Sequence, residues 1–155
     1  MYYKDLTKYS YGQKEDSYNI GWLDGRHSYT RGNVSEQFLD KLWTYFSYPV
    51  NIYRGFHQCE LCKKQNIEIP IIQYKSEKRK AGFYEIRVFD REGNTYAAPS
   101  LIFHYITCHH YMPPQKFIDA VVNGDATCKE YYEKILQFCD GNDFWLKGDR
   151  MAIKK

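Results

Sequence analysis

Residues 54–64, RGFHQCELCKK, hold His57, Cys59 and Cys62 within six positions. Thiolates and imidazoles are the donors zinc prefers, four of them in a tetrahedron at about 2.0–2.3 Å. A C-x-x-C spacing in a tight loop lets both sulfurs turn toward one point. Arg54–Gly55 gives the chain freedom to turn just before it, and Lys63–Lys64 just after would soften the charge of two thiolates. The remaining ligands must come from elsewhere, and HYITCHH, residues 104–110, can supply them. His104 and Cys108 are four apart and share a helix face. His109 stands about 140° round from His104 on a regular helix, so one helix offers both to one ion only if it frays before Pro113–Pro114. The expectation is a Cys2His2 zinc site: Cys59, Cys62, one of His57 or His104, and one of His104 or His109.

Other chemistries fit less well. Redox C-x-x-C pairs open a helix after a strand of a βαβ unit, whereas this pair follows an irregular loop. A second C-x-x-C, which would strengthen the metal reading, is absent, and unliganded residues are the plain alternative. A catalytic zinc needs an open position and a general base beside it. Neither H-x-E with P-C-x-x-C nor H-E-x-x-H occurs. G-x-S-x-G, the Walker A loop and G-x-G-x-x-G are also missing. His27 has no partner nearby in sequence, and Cys128 and Cys139 read as small packing residues.

The elements that must position these groups follow from periodicity. NIGWL (19–23) reads as a short strand. Asn33 with Glu36 resembles a capping box, opening a helix whose face carries Val34, Phe38, Leu42 and Phe46 and which Pro49 stops. IEIPIIQY (67–74) is β-rich, with Pro70 placing it at an edge. GFYEIRVFD (82–90) alternates most cleanly and pairs with TYAAP (95–99) across REGN. Ser100 can cap SLIFHYITCHHY, Pro114 and Asn123–Gly124 bracket a second helix, and Asp125 can cap a third that Gly141 closes. The order is α+β: a small antiparallel sheet with helices packed on one face, in a single domain over 1–155, with 142–155 as a C-terminal tail.

Composition narrows the function classes. A chain of 155 residues buries a core without needing a metal or disulfides in order to fold. No apolar run approaches the ~20 residues of a membrane span, and MYYKDLTKYS lacks the apolar core of a secretory signal. Five cysteines, an odd number, read as reduced. The expectation is a cytoplasmic protein with no membrane contact. A formal charge of +3 is mild for a nucleic-acid binder, and the cluster Lys75, Lys78, Arg79, Lys80 reads first as a solvated hairpin tip. Sixteen tyrosines stand out, because tyrosine suits contact surfaces. The N-terminal group Tyr2, Tyr3, Tyr9, Tyr11 and Tyr18 is the expected place for one, with many other tyrosines at the edge of the core.

A wider pattern joins these pieces: NIGWL, then PVN-x-x-RGFH-x-C-x-x-C, then EIRV, YAAP-x-LI-x-HYI and H-x-Y-x-PP-x-x-F. It resembles a family of small bacterial cytoplasmic proteins with no assigned function, over roughly residues 2–122. The resemblance marks Trp22, Arg54, His57, Cys59, Cys62, Glu85, Arg87, His104, His109 and Pro113–Pro114, and implies no activity.

The leading functional expectation is a non-catalytic protein-binding protein, specifically an immunity protein that neutralises a cognate toxin domain. Its contact residues would include Tyr2, Tyr3, Tyr9, Tyr11, Trp22, Arg54 and Arg87, since aromatics and arginines dominate tight interfaces. The second reading is a zinc- or thiol-dependent enzyme whose Arg54, His57, Cys59, Glu85, Arg87, His104 and His109 line a pocket for a small anion. Against it, Glu85 and Arg87 alternate on one strand face and can simply pair with neighbours. A nucleic-acid-binding module ranks third. The sequence is compatible with a homodimer.

Overall fold

The computed structural model describes residues 1–9, 16–62 and 68–141. The elements in chain order are β1 (Ser17–Asn19), α1 (Glu36–Tyr45), β2 (Ile71–Tyr74), β3 (Glu77–Lys80), β4 (Glu85–Phe89), β5 (Thr95–Pro99), α2 (Ile102–His109), α3 (Gln115–Asn123) and α4 (Lys129–Gly141). This is the expected single α+β domain. The sheet, however, is mixed. β5 lies in the middle, antiparallel to β4 and parallel to β1, while β2 and β3 form a separate hairpin.

Several boundaries move for physical reasons. The first strand is Ser17–Asn19, ahead of NIGWL, because Gly21 turns the chain at φ 75°. Ser35, not Asn33, caps α1, accepting the Phe38 amide at 3.1 Å. β2 starts just past Pro70, which has no N–H to offer a ladder. Ser100 leaves capping to Leu101, and its Oγ accepts the Gly82 amide instead, at 2.7 Å. Asp125 closes a local turn on Thr127, so α4 begins at Lys129.

One face of the sheet carries Ile86, Val88, Tyr96 and Ala98 into the main core, where α1, α2 and α3 cover them. Aromatic rings meet edge to face there: Phe38 and Tyr96 each contact Phe117, with centroids 6.3 and 6.0 Å away. Of the basic cluster expected at a solvated hairpin tip, only Lys75 lies in the turn; Lys78, Arg79 and Lys80 belong to β3, and Arg79 is part-buried. Lys75 reaches Glu36 and Asp40 on α1, and the Arg79 guanidinium lies 4.6 Å over the Trp43 ring.

The other face, where alternation places Glu85 and Arg87, is buried as well. The N-terminal segment covers it through Leu6 to Asn19, Asn19 to Thr7 and Tyr9 to Ser17 backbone bonds. Tyr9, Trp22 and Ala97 form a small apolar cluster there. Glu85 and Arg87 are 1% and 0% exposed and pair at 2.9 Å. Of the helices in the described residues, none is long and apolar enough to cross a membrane.

Candidate metal centre

The C-x-x-C loop is strapped to the start of β4. Val50 and Glu85 exchange both backbone bonds at 2.8 Å, and the Tyr53 and His57 amides donate to Phe83 and Gly82 at 3.0 and 2.7 Å. Gly82 sits at φ 92°, and a Cβ there would stand 2.5 Å from the His57 carbonyl oxygen. Only glycine allows so close an approach in that conformation. Ser100, at the entry to α2, holds the same Gly82 amide. One glycine thus fixes the loop relative to the helix that faces it.

Across this junction four side chains meet. Cys59, Cys62, His104 and His109 are each half-buried, and their ligand atoms all lie within 4.8 Å of one another. Cys62 Sγ stands 3.2 Å from His104 Nε2 and 3.4 Å from His109 Nε2, and Cys59 Sγ is 3.4 Å from His109 Nε2. A tetrahedral zinc with ordinary bond lengths sets sulfur and nitrogen about 3.5 Å apart. The donors therefore already stand close to the edges of the right polyhedron.

Both histidines come from α2 although they are five residues apart. The two imidazoles bend toward each other, bringing their centroids to 5.1 Å. His109 is the last residue of the helix, and the chain reverses at His110, in the left-handed region at φ 58°. The Tyr29 hydroxyl donates to the His109 carbonyl at 3.0 Å and steadies that turn. The helix need not fray, which corrects the expectation that a regular helix could not present both. Cys108, the residue that shares a face with His104, is exposed.

The electrostatics favour a cation. Burial pushes the Cys59 thiol up to about 12, partly countered by backbone N–H bonds from Leu61 and Cys62 and raised further by the neighbouring Cys62. Burial also lowers His104, helped by His109, and lowers His109, helped by Arg31 and His110. The imidazoles are thus held neutral, the form that coordinates metal. The last turn of a helix carries partial negative charge, and His109 places the site beside it.

The other residues singled out from sequence lie apart from this cluster. His57 is exposed, with its ring edge-on to Tyr53 at 5.8 Å, so it is not among the converging donors. Arg54 is exposed on the same loop. Tyr9 and Trp22, only 4% and 5% exposed, are interior rather than surface residues. The Tyr9 hydroxyl donates to Glu85 at 2.8 Å and the Trp22 indole to the Ala97 carbonyl at 3.0 Å. Arg87 is likewise interior, which removes it from any contact surface and from any anion pocket shared with Arg54. Tyr2 stacks on His27 at 3.8 Å, and Tyr3 meets Trp22 edge-on. Tyr11, Lys63, Lys64 and the 142–155 tail lie outside the described residues. Sequence reasoning missed Gly82 and Ser100, whose roles depend on a tertiary approach that leaves no local signal.

The model of the family described as Domain of unknown function (DUF7919) matches residues 1–122. The chain belongs to that family. All four converging residues fall within the matched region, and α4 falls outside it. No curated protein and no solved structure matches the chain.

Proposed function

We propose that Cys59, Cys62, His104 and His109 hold a structural zinc ion, and that this protein works by binding another protein rather than by catalysis. The observation that carries the metal reading is the convergence of two thiols and two imidazoles from separate segments within 4.8 Å. Four protein donors complete a tetrahedron and leave no position for a reacting water. Two sulfurs with two nitrogens favour zinc over the oxygen-seeking cations. Zinc there joins the strapped loop to the end of α2.

The protein-binding reading draws support from small size and aromatic richness. Within that class, neutralisation of a cognate toxin domain remains the specific form proposed. Native mass spectrometry and metal analysis of the purified chain test the first part. One zinc per chain is expected, and it should be absent from the Cys59→Ser, Cys62→Ser variant. Metal-free protein with an unchanged melting temperature would overturn it. For the second part, a toxin encoded beside the gene should be bound directly by the purified protein. Cells producing both should grow, and failure of both measurements would remove the immunity reading.

A further inference from the structure

A cavity of about 440 Å³ is lined by the segment that leads into the C-x-x-C loop and by none of the four metal-ligating residues. Its walls include Trp22, Tyr53, Phe56 and His57, and Asn51 and Glu85 contribute its polar part. These residues come from three separate stretches of chain. The volume falls in the range of small-molecule sites, which are largely apolar with a few placed polar groups.

The polar part is built rather than incidental. Glu85 is 1% exposed, and three donors hold its carboxylate. Arg87 and Tyr9 reach Oε1 at 2.9 and 2.8 Å, and Asn51 Nδ2 reaches Oε2 at 2.9 Å. A carboxylate oxygen can accept about two hydrogen bonds. Oε2 takes only the Asn51 bond among the described residues, so it keeps acceptor capacity. Asn51 itself stands at φ 52°, the left-handed region, and that conformation accompanies its bridge from Glu85 to the Tyr9 hydroxyl, 3.2 Å away.

The chemistry of the walls then selects the guest. No lysine or arginine is among the described residues lining the cavity. Aromatic faces attract cations, most strongly where water is excluded. The Glu85 carboxylate, paired with Arg87, supplies negative charge to the lining, and Met1, whose terminal ammonium pairs with Glu60 at 3.7 Å, also lines the cavity. Phe56, a large apolar side chain left 36% exposed, stands among the lining residues.

We propose that this cavity binds an organic ammonium group, with the aromatic side chains around it and Glu85 and Asn51 as its polar anchor. The group belongs either to a free small amine or to a lysine side chain of another protein. The proposal needs no metal in the neighbouring cluster and stands or falls separately from the zinc reading.

The test is a titration of the full chain with n-butylammonium, followed by the Trp22 indole and Gly55 amide resonances. Saturable shifts are expected with a dissociation constant on the order of millimolar. n-Butanol, similar in shape but uncharged, should leave them in place at the same concentrations. Tyr53→Ala should weaken ammonium binding by about tenfold without changing the melting temperature. Glu85→Gln should abolish binding. Should that variant fail to fold, Tyr53→Ala and Phe56→Ala carry the test. A blocked Gly-Lys-Gly peptide serves as the third probe: tighter binding than butylammonium assigns the site to a protein lysine, weaker binding to a free amine. Equal responses to butanol and butylammonium, or silence toward all three probes, would overturn the proposal.

Discussion

The molecule holds two polar constellations, and they are satisfied in opposite ways. Glu85 and Arg87 neutralise each other inside the protein, and Tyr9 and Asn51 also donate to the carboxylate. Cys59, Cys62, His104 and His109 gather four metal-ligating donors at one point. The first group carries its own countercharge once the chain folds. The second could hold a metal ion. Burial alone does not separate structural from functional polar groups; whether the donors balance one another does.

The largest expected effect breaks the self-balanced group. Arg87→Leu strands a buried carboxylate and should destabilise the fold by about 3–5 kcal/mol, read by urea denaturation. Metal content should be unchanged in whatever fraction stays folded. Joint replacement of Glu85 and Arg87 by apolar residues should recover much of that loss. A single replacement as harmless as the double would erase the contrast between the two groups.

Next comes the externally balanced group. Removing both thiols with Cys59→Ser and Cys62→Ser, or stripping metal with a chelator, should cost about 2–4 kcal/mol at a ligand excess of 100- to 1,000-fold over its dissociation constant. Thermal unfolding with and without chelator measures it. The chelator should leave the melting temperature of the Cys variant unmoved, whereas His57→Ala should keep full metal content.

Acidity sharpens the same contrast. His104 and His109 have lowered folded values, so near pH 6 the unfolded chain binds more protons than the folded one. Their contribution to stability therefore grows as pH rises through the histidine range and is lost on acidification. Metal adds to the trend because coordination displaces the raised proton of Cys59. Denaturation midpoints between pH 5 and pH 7 should rise with pH in the parent and flatten in His104→Ala with His109→Ala. The smallest effect is a reference point away from both groups: Ser35→Ala should remove the α1 cap at about 1 kcal/mol and leave metal and pH response alone.

What was legible in the sequence follows the same division. The spacing of Cys59 and Cys62 and the histidines of HYITCHH pointed to the cluster, because short-range spacing is what ligand geometry demands. The choice of His109 over His57 was not legible. It depends on Gly82 letting the loop press against β4 and on two long imidazole arms spanning an awkward helical angle. The alternation of Glu85 and Arg87 was plain, and pairing with neighbours was among the readings it allowed. That their face is buried was not, since the cover comes from an N-terminal segment that lacks periodicity. Helices and the β4–β5 hairpin were recognisable from local pattern, whereas the parallel β1–β5 contact has no local signature. Asn33 and Ser35 are both capable caps, and only the path of the chain decides between them.

That parallel contact carries a consequence for how the protein is made. The strand at residues 17–19 finds its sheet neighbour only at residues 95–99. On a ribosome the leading segment therefore waits, undocked, until most of the domain has been synthesised. During that interval the aromatic side chains of Tyr9 and Trp22 face water. Slowed translation ahead of residue 95 should raise degradation of nascent chains far more than a pause placed after it.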